Sequence, residues 1–297
     1  LSNPHAPIRR IGFIGLGKMG QPMARRLIAA GFKVHGYDLS EAARAAAIES
    51  GAKASASLGA VMAKADVIIT MLPNSDAVET VALGGADSIA RLAAPGTLLI
   101  DMSSAAPHRT RRLGEALGEH GITMVDAPVS GGVLRAADGA LTIMLGGSED
   151  AVARARPVLE HLGSRLFETG GLGSGHAMKA LNNYVSAAGL TAACEALQIG
   201  AQFGLDPALM IDILNVSTGR NNSTENKIKQ FVLSSSFDGG FGLGLMAKDL
   251  ATAAALADEL AMRSPFCHEA ARLWGEALAS LGPAVDHTEI DTFLRRV

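Results

Sequence analysis

Short apolar runs alternate with amphipathic stretches through the first half of the chain. Residues 11–14, 33–37, 67–71, 97–101, 122–125, 141–145 and 164–167 have the length of strands. Helical spacing fills the gaps. It continues through Met23, Leu27 and Ala30 to a stop at Gly31, and recurs at 41–50, 57–64, 75–82, 86–93, from Pro107 onward and at 148–162. Alternation of this kind predicts a parallel, doubly wound sheet with a reversed edge strand, ending near residue 167. The glycine-rich stretch GGLGSG (170–175) reads as a hinge-like lead into one long helix over 173–203. Beyond it the pattern is helical only, at 207–216, 223–233, 246–262, 265–281 and 288–296. The predicted fold is therefore an α/β doubly wound domain over 1–170, followed by an all-helical domain over 171–297, joined by a long interdomain helix.

Composition narrows the picture. Apolar residues make up 48% and aromatic residues only 4%, so the core must be built mainly from small and aliphatic side chains. The net charge is −3, and the densest basic cluster, RTRR at 109–112, reads as the solvated face of one helix, so no nucleic-acid partner is expected. Cys194 and Cys267 lack CxxC spacing and read as core thiols of an intracellular, cytoplasmic protein. The eight histidines show no ligand spacing, so no metal site is expected. The first ten residues lack an apolar leader segment. The apolar stretch 184–204 is interrupted by Glu195 and Gln198 and reads as a buried helix, not a membrane span.

The first apolar run leads straight into GLGKMG (15–20), then a helix, then a strand ending at Asp38, 18 residues after the last glycine. This is the context of the Rossmann dinucleotide fingerprint. Gly15 permits the tight turn, Gly17 lets the backbone approach a pyrophosphate, and Gly20 lets the helix pack on the strand. The turn as a whole, with Lys18 and Met19, forms the cofactor cradle at a helix N-terminus. Asp38 can accept both adenosine ribose hydroxyls and would repel a 2′-phosphate. Leu39 and Ser40 supply no arginine, so NAD is preferred over NADP. Leu72-Pro73 falls at the carboxyl edge of the sheet, above which cofactors bind.

Three further stretches could act beside a nicotinamide. Ser130-Gly131-Gly132 offers a hydroxyl and two unencumbered peptide units for a carboxylate. Ser104 lies at another strand end. Lys179 and Asn183 stand four apart, on one face of the long helix. A lysine's ordinary value of about 10.4 falls on burial and beside a cation such as oxidised nicotinamide, which would suit it to proton transfer with an alcohol. Spacing alone leaves a surface lysine equally open.

The blocks GFIGLGKMGQPMARRL (12–27), DMSSAAP (101–107), DAPVSGGVLRAADGALTIMLGG (126–147), GLGSGHAMKALNN (171–183) and FGLGLMAKDL (241–250) make the chain resemble the β-hydroxyacid dehydrogenases, the group containing 3-hydroxyisobutyrate dehydrogenase and tartronate semialdehyde reductase. NVSTGR (215–220) also resembles the 3-hydroxyisobutyrate branch. The resemblance implies a Rossmann domain followed by a helical domain used for assembly, here a homodimer or homotetramer. It places Lys179 on the catalytic lysine and Asn183 on its companion. Ser130, Gly131 and Gly132 fall on the substrate loop, Ser104 near the nicotinamide, and Lys248 on a lysine that reaches the cofactor site. Asp249 reads as structural. Arg135, where many members carry a small residue, and Asn221-Asn222 depart from the pattern and point to a more polar substrate than 3-hydroxyisobutyrate. The expected activity is hydride transfer between a small 3-hydroxy carboxylate and NAD. The alternatives are a reductase of a tartronate-semialdehyde-like acid, an imine reductase, and a non-catalytic dinucleotide-binding protein.

Overall fold

A computed structural model describes residues 8–63 and 65–296. Lys64, where the helix expected over 57–64 would end, residues 1–7, on which most of the reading of the first ten residues falls, and Val297 lie outside the described residues. The chain divides between Lys179 and Ala180 into two compact units.

The first unit runs β1 (Arg10–Ile14), α1 (Gly20–Ala29), β2 (Lys33–Tyr37), α2 (Glu41–Glu49), β3 (Lys53–Ser55), α3 (Leu58–Met62), β4 (Val67–Thr70), α4 (Ser75–Leu83), α5 (Ile89–Leu92), β5 (Leu98–Asp101), α6 (Pro107–Gly118) and β6 (Thr123–Asp126). It continues through β7 (Val129–Ser130), α7 (Gly132–Asp138), β8 (Leu141–Gly146), α8 (Glu149–Leu159) and β9 (Gly163–Gly170) into the start of α9 (Ser174–Phe203). The strand order is β3-β2-β1-β4-β5-β6-β8-β7, with β9 also on β8. Pairing from β3 to β6 is parallel throughout. β4 and β5 are buried at every position, as a sheet covered on both faces requires. Alternate residues serve opposite faces. Phe13, Ile69 and Ile100 pack with Met23, Leu27 and Val158, while Ile14, Ile68 and Leu99 pack with Val61, Val78 and Leu113. Ser40, Ser57, Asn74 and Ser148 each accept the third backbone N–H of the helix they open, fixing where those helices begin.

Besides the short edge strand β3, which the pattern did not show, three features differ from or sharpen the sequence expectation. The reversed strand is β8, antiparallel to β6 and β7, and β9 then pairs parallel to it. β9 is eight residues long and mostly exposed, so its polar side chains hide all but its apolar middle. The segment after β6 is not an open loop: it forms the two-residue strand β7 and the helix α7.

The second unit holds the rest of α9 and α10 (Pro207–Asn215), α11 (Asn222–Asn226), a π-helical turn (Ile228–Leu233), α12 (Leu243–Glu259), α13 (Pro265–Leu281), a 3₁₀ turn (His287–Glu289) and α14 (Ile290–Leu294). The helix expected over 223–233 is thus split at Lys227. Ile228 and Val232 of the π turn are both buried in the core. Trp274, fully buried, lies in a core with Leu190, Leu197, Leu250, Ile290 and Phe293. Gly242 and Asp286 form an isolated antiparallel bridge that the helical pattern did not reveal. Cys194 and Cys267 are both buried and unbonded, and burial pushes both thiols up. No described helix is long and apolar enough to cross a membrane.

Candidate active site

The turn after β1 has the geometry its glycines suggest. Gly15 has φ +96, and a Cβ there would stand 2.2 Å from the Met71 carbonyl oxygen. A Cβ on Gly20 would stand 1.9 Å from the Gly15 carbonyl oxygen, so the close seating of α1 on this turn needs a hydrogen at that position. Gly17 faces open space, with no heavy atom within 4 Å of its would-be Cβ. A bare peptide exposed at the mouth of a helix is what a pyrophosphate requires, so these residues fit a dinucleotide. Lys18 is exposed and Met19 half-buried on the same turn. Asp38 closes the far side: its carboxylate accepts the Leu16 N–H at 2.7 Å and the Ser40 N–H at 2.8 Å, which holds it at the tip of β2. Arg44, from α2, donates to the Asp38 and Leu39 carbonyl oxygens at 2.7 and 3.1 Å.

Further along the same sheet edge, the Leu72 N–H donates to the Ser103 hydroxyl at 2.9 Å, tying the Leu72-Pro73 turn to the loop after β5. Pro73 is exposed, Leu72 and Ser104 are half-buried, and Leu72 packs on the core beneath. Ser130 lies in β7, paired with Thr142 of β8. Gly131 and Gly132, at φ +132 and +70, turn the chain into α7, and both are exposed. Arg135 is exposed on α7.

Lys179 is half-buried on α9, and the start of that helix is fixed by the sheet rather than hinged. The Asp126 carboxylate accepts the Gly173 and His176 N–H groups, each at 2.7 Å. A Cβ on Gly175 would stand 2.3 Å from the Met144 carbonyl oxygen, so only glycine lets this turn lie against the strands. Burial pushes the Asp126 carboxyl up, opposed by neighbouring His176 and the two backbone bonds. The His176 ring lies between Asp126 and Asp101, with Nδ1 2.8 Å from the Thr110 hydroxyl and Nε2 3.2 Å from the Ser103 carbonyl oxygen. The basic cluster 109–112 is correspondingly not a uniformly solvated face: Thr110 is buried, Arg109 is held by Glu79 and Asp76, and Arg111 donates to the Leu172 carbonyl.

In the second unit Asn183 is buried, and its Nδ2 donates to the Asp249 carboxylate at 2.5 Å. The other Asp249 oxygen lies 2.7 Å from the Lys248 ammonium. Asp249 is thus the pivot between two residues that sequence reasoning singled out separately. Lys227, which sequence reasoning passed over, donates to the Ser186 hydroxyl at 3.2 Å, three residues beyond Asn183, and burial pulls its amine down. Among the described residues, no three His, Cys, Asp or Glu side chains form a metal-holding group.

Residues 10–171 match the sequence family described as the NAD binding domain of 6-phosphogluconate dehydrogenase. Residues 173–294 match that described as the NAD-binding domain of NADP-dependent 3-hydroxyisobutyrate dehydrogenase. The chain is 41% identical over 244 residues to 2-(hydroxymethyl)glutarate dehydrogenase of Eubacterium barkeri, covering 82% of this chain and 81% of that protein. It is 38% identical over 264 residues to the NAD-dependent L-serine dehydrogenase of Pseudomonas aeruginosa, covering 87% and 88%. The fold is similar to that of Mycobacterium tuberculosis 3-hydroxyisobutyrate dehydrogenase solved with L-serine, at a TM-score of 0.89 and 33% identity, covering 97% of this chain and all of that one. With both halves matched and a dinucleotide turn of the required shape, the chain belongs to the β-hydroxyacid dehydrogenase family.

Proposed function

We propose that the protein is an NAD-dependent dehydrogenase of a small 3-hydroxy carboxylate. The observation that carries this reading is the seating of Lys179: its helix start is bolted to the carboxyl edge of the sheet through Asp126, the edge where the glycine turn also lies. The relatives' substrates, 3-hydroxyisobutyrate, L-serine and 2-(hydroxymethyl)glutarate, are all 3-hydroxypropanoates that differ in the group on carbon 2. A 2-substituted 3-hydroxypropanoate is therefore the substrate class.

When bound, the nicotinamide supplies the hydride acceptor. Lys179 takes the hydroxyl proton during oxidation and returns it to the carbonyl oxygen during reduction. Ser130 and the Gly131 and Gly132 peptides hold the substrate carboxylate, and Asn183 orients the reacting hydroxyl group. Gly15, Gly17, Lys18, Met19, Gly20, Asp38, Leu72, Pro73, Ser104 and Lys248 hold the dinucleotide. The exposed Arg135 suits a polar or anionic group on carbon 2. Asp38, whose carboxylate is held at the tip of β2, favours a ribose with both hydroxyls free, hence NAD over NADP. The cofactor domain spans 1–170 and the helical domain 171–297, and the protein works as a cytoplasmic homodimer or homotetramer.

The test is a panel of 2-substituted 3-hydroxypropanoates assayed with NAD and with NADP, for the wild type and Lys179→Ala. The expected result is turnover with the higher kcat/KM for NAD, and a loss of about 10²–10⁴-fold in kcat for the variant with NAD binding retained. Near-normal turnover by the variant would remove Lys179 from the chemistry. NAD binding without turnover of any acid would favour a binding protein.

A further inference from the structure

Asp101, Asp126 and His176 are buried together below the sheet edge of the first unit, and the proposed chemistry uses none of them directly. We infer that His176 is a positioning residue for proton transfer, locking the helical turn that bears Lys179 to the loop that bears Ser104. This rests on the reading of Lys179 as the acid–base group.

Lys179 follows His176 by three residues, about 4.5 Å along the helix and on neighbouring positions of its surface. The His176 backbone N–H is held by Asp126, so the ring has a fixed base. Its Nε2 lies 3.2 Å from the Ser103 carbonyl oxygen, which can only accept, so Nε2 donates. Its Nδ1 shares a hydrogen bond of 2.8 Å with the Thr110 hydroxyl, which also lies 3.1 Å from the Ala106 carbonyl oxygen. One oxygen each of Asp101 and Asp126 lies 3.8 Å from a ring nitrogen. That Asp101 oxygen has no hydrogen bond among the described residues. The other Asp101 oxygen accepts from the Thr70 hydroxyl and the Ser103 N–H. The remaining charge along this crevice is Arg109 of α6, already engaged by Glu79 and Asp76. The ends of β4, β5 and β6 are thereby tied through one imidazole ring to the first turns of α9. Displacing the ring releases the Ser103–Ser104 loop from the Lys179 turn.

The experiment compares wild type, His176→Ala and His176→Gln by kcat, KM for NAD and melting temperature, with Lys179→Ala in parallel. Gln keeps a donor for the Ser103 carbonyl. Expected for His176→Ala is a loss in kcat on the order of a hundredfold with little change in KM for NAD, while His176→Gln recovers part of kcat. Near-normal kcat in a folded His176→Ala, or a His176→Gln no faster than His176→Ala, overturns the inference, because a purely structural role would lower stability without a kcat loss that a donor restores. If His176→Ala does not fold, His176→Gln decides alone: kcat below wild type at unchanged KM for NAD is expected, and kcat equal to wild type overturns the inference. Near-normal kcat in Lys179→Ala would instead overturn the underlying reading of the lysine, so the two failures are distinguishable.

Discussion

Gly17 and Gly20 stand three residues apart in one turn, yet the structure gives them different duties. At Gly20 a methyl group would meet the Gly15 carbonyl oxygen at 1.9 Å; at Gly17 it would meet nothing. Gly20→Ala is expected to destabilise the protein by about 1–3 kcal/mol through forced backbone movement. Gly17→Ala is expected to leave the melting temperature unchanged and weaken NAD binding alone, because its methyl group would occupy space reserved for the pyrophosphate. Thermal melts alongside NAD titrations check both. Equal stability loss in the two variants would contradict the division of roles. These duties could be read from sequence because the fingerprint fixes each glycine's spacing from the strand. His176 could not be read this way, since its partners Thr110 and Asp126 lie 66 and 50 residues away. The same distance problem hid Asp249, 66 residues from Asn183. Side chains that meet only after folding leave no local pattern.

At the scale of elements, the buried strands were legible because a sheet covered on both faces demands unbroken apolar runs. β3 and β9 were missed or cut short because edge and exposed strands carry lysines, serines and glutamate that look like loop. The segment after β6 looked like an open anion cradle because its glycines hide the fact that they begin a helix. In the second unit, Asp286 organises a turn that periodicity could not show. Its carboxylate accepts the Thr288 N–H and hydroxyl and the Phe241 N–H, joining the 3₁₀ turn to the approach to α12. Burial alone would raise this carboxyl, but the bonds from His287 and Thr288, together with the His287 charge, outweigh it and hold the group well below the usual carboxylate range. An unfolded aspartate titrates near 3.9, so the depressed native value adds stability above about pH 4 that is lost as the pH falls further. Asp286→Asn is expected to melt lower at neutral pH, by about 1 kcal/mol of stability after allowing for its partial exposure. The gap to wild type should close on acidification below about pH 4. A gap that stays constant down to low pH would contradict this account.

At the scale of the whole molecule, family membership was readable because the matching blocks recur in order along nearly the entire chain. Substrate identity was less readable, because exposed side chains such as Arg135 carry no fixed partner spacing. The scarcity of aromatic residues, noted at first only as a constraint on packing, has a practical consequence. The chain contains one tryptophan, Trp274, fully buried in the helical unit with its indole N–H 3.0 Å from the Thr191 hydroxyl. Its fluorescence is expected to be blue-shifted in the native protein and to shift red when the core around Leu190, Leu250 and Phe293 opens. Loosening confined to the nucleotide-binding sheet should leave that emission unchanged while far-ultraviolet circular dichroism falls. A red shift that precedes any helical loss would contradict the burial of this residue. The molecule thus carries a built-in optical probe that reports on one of its two units.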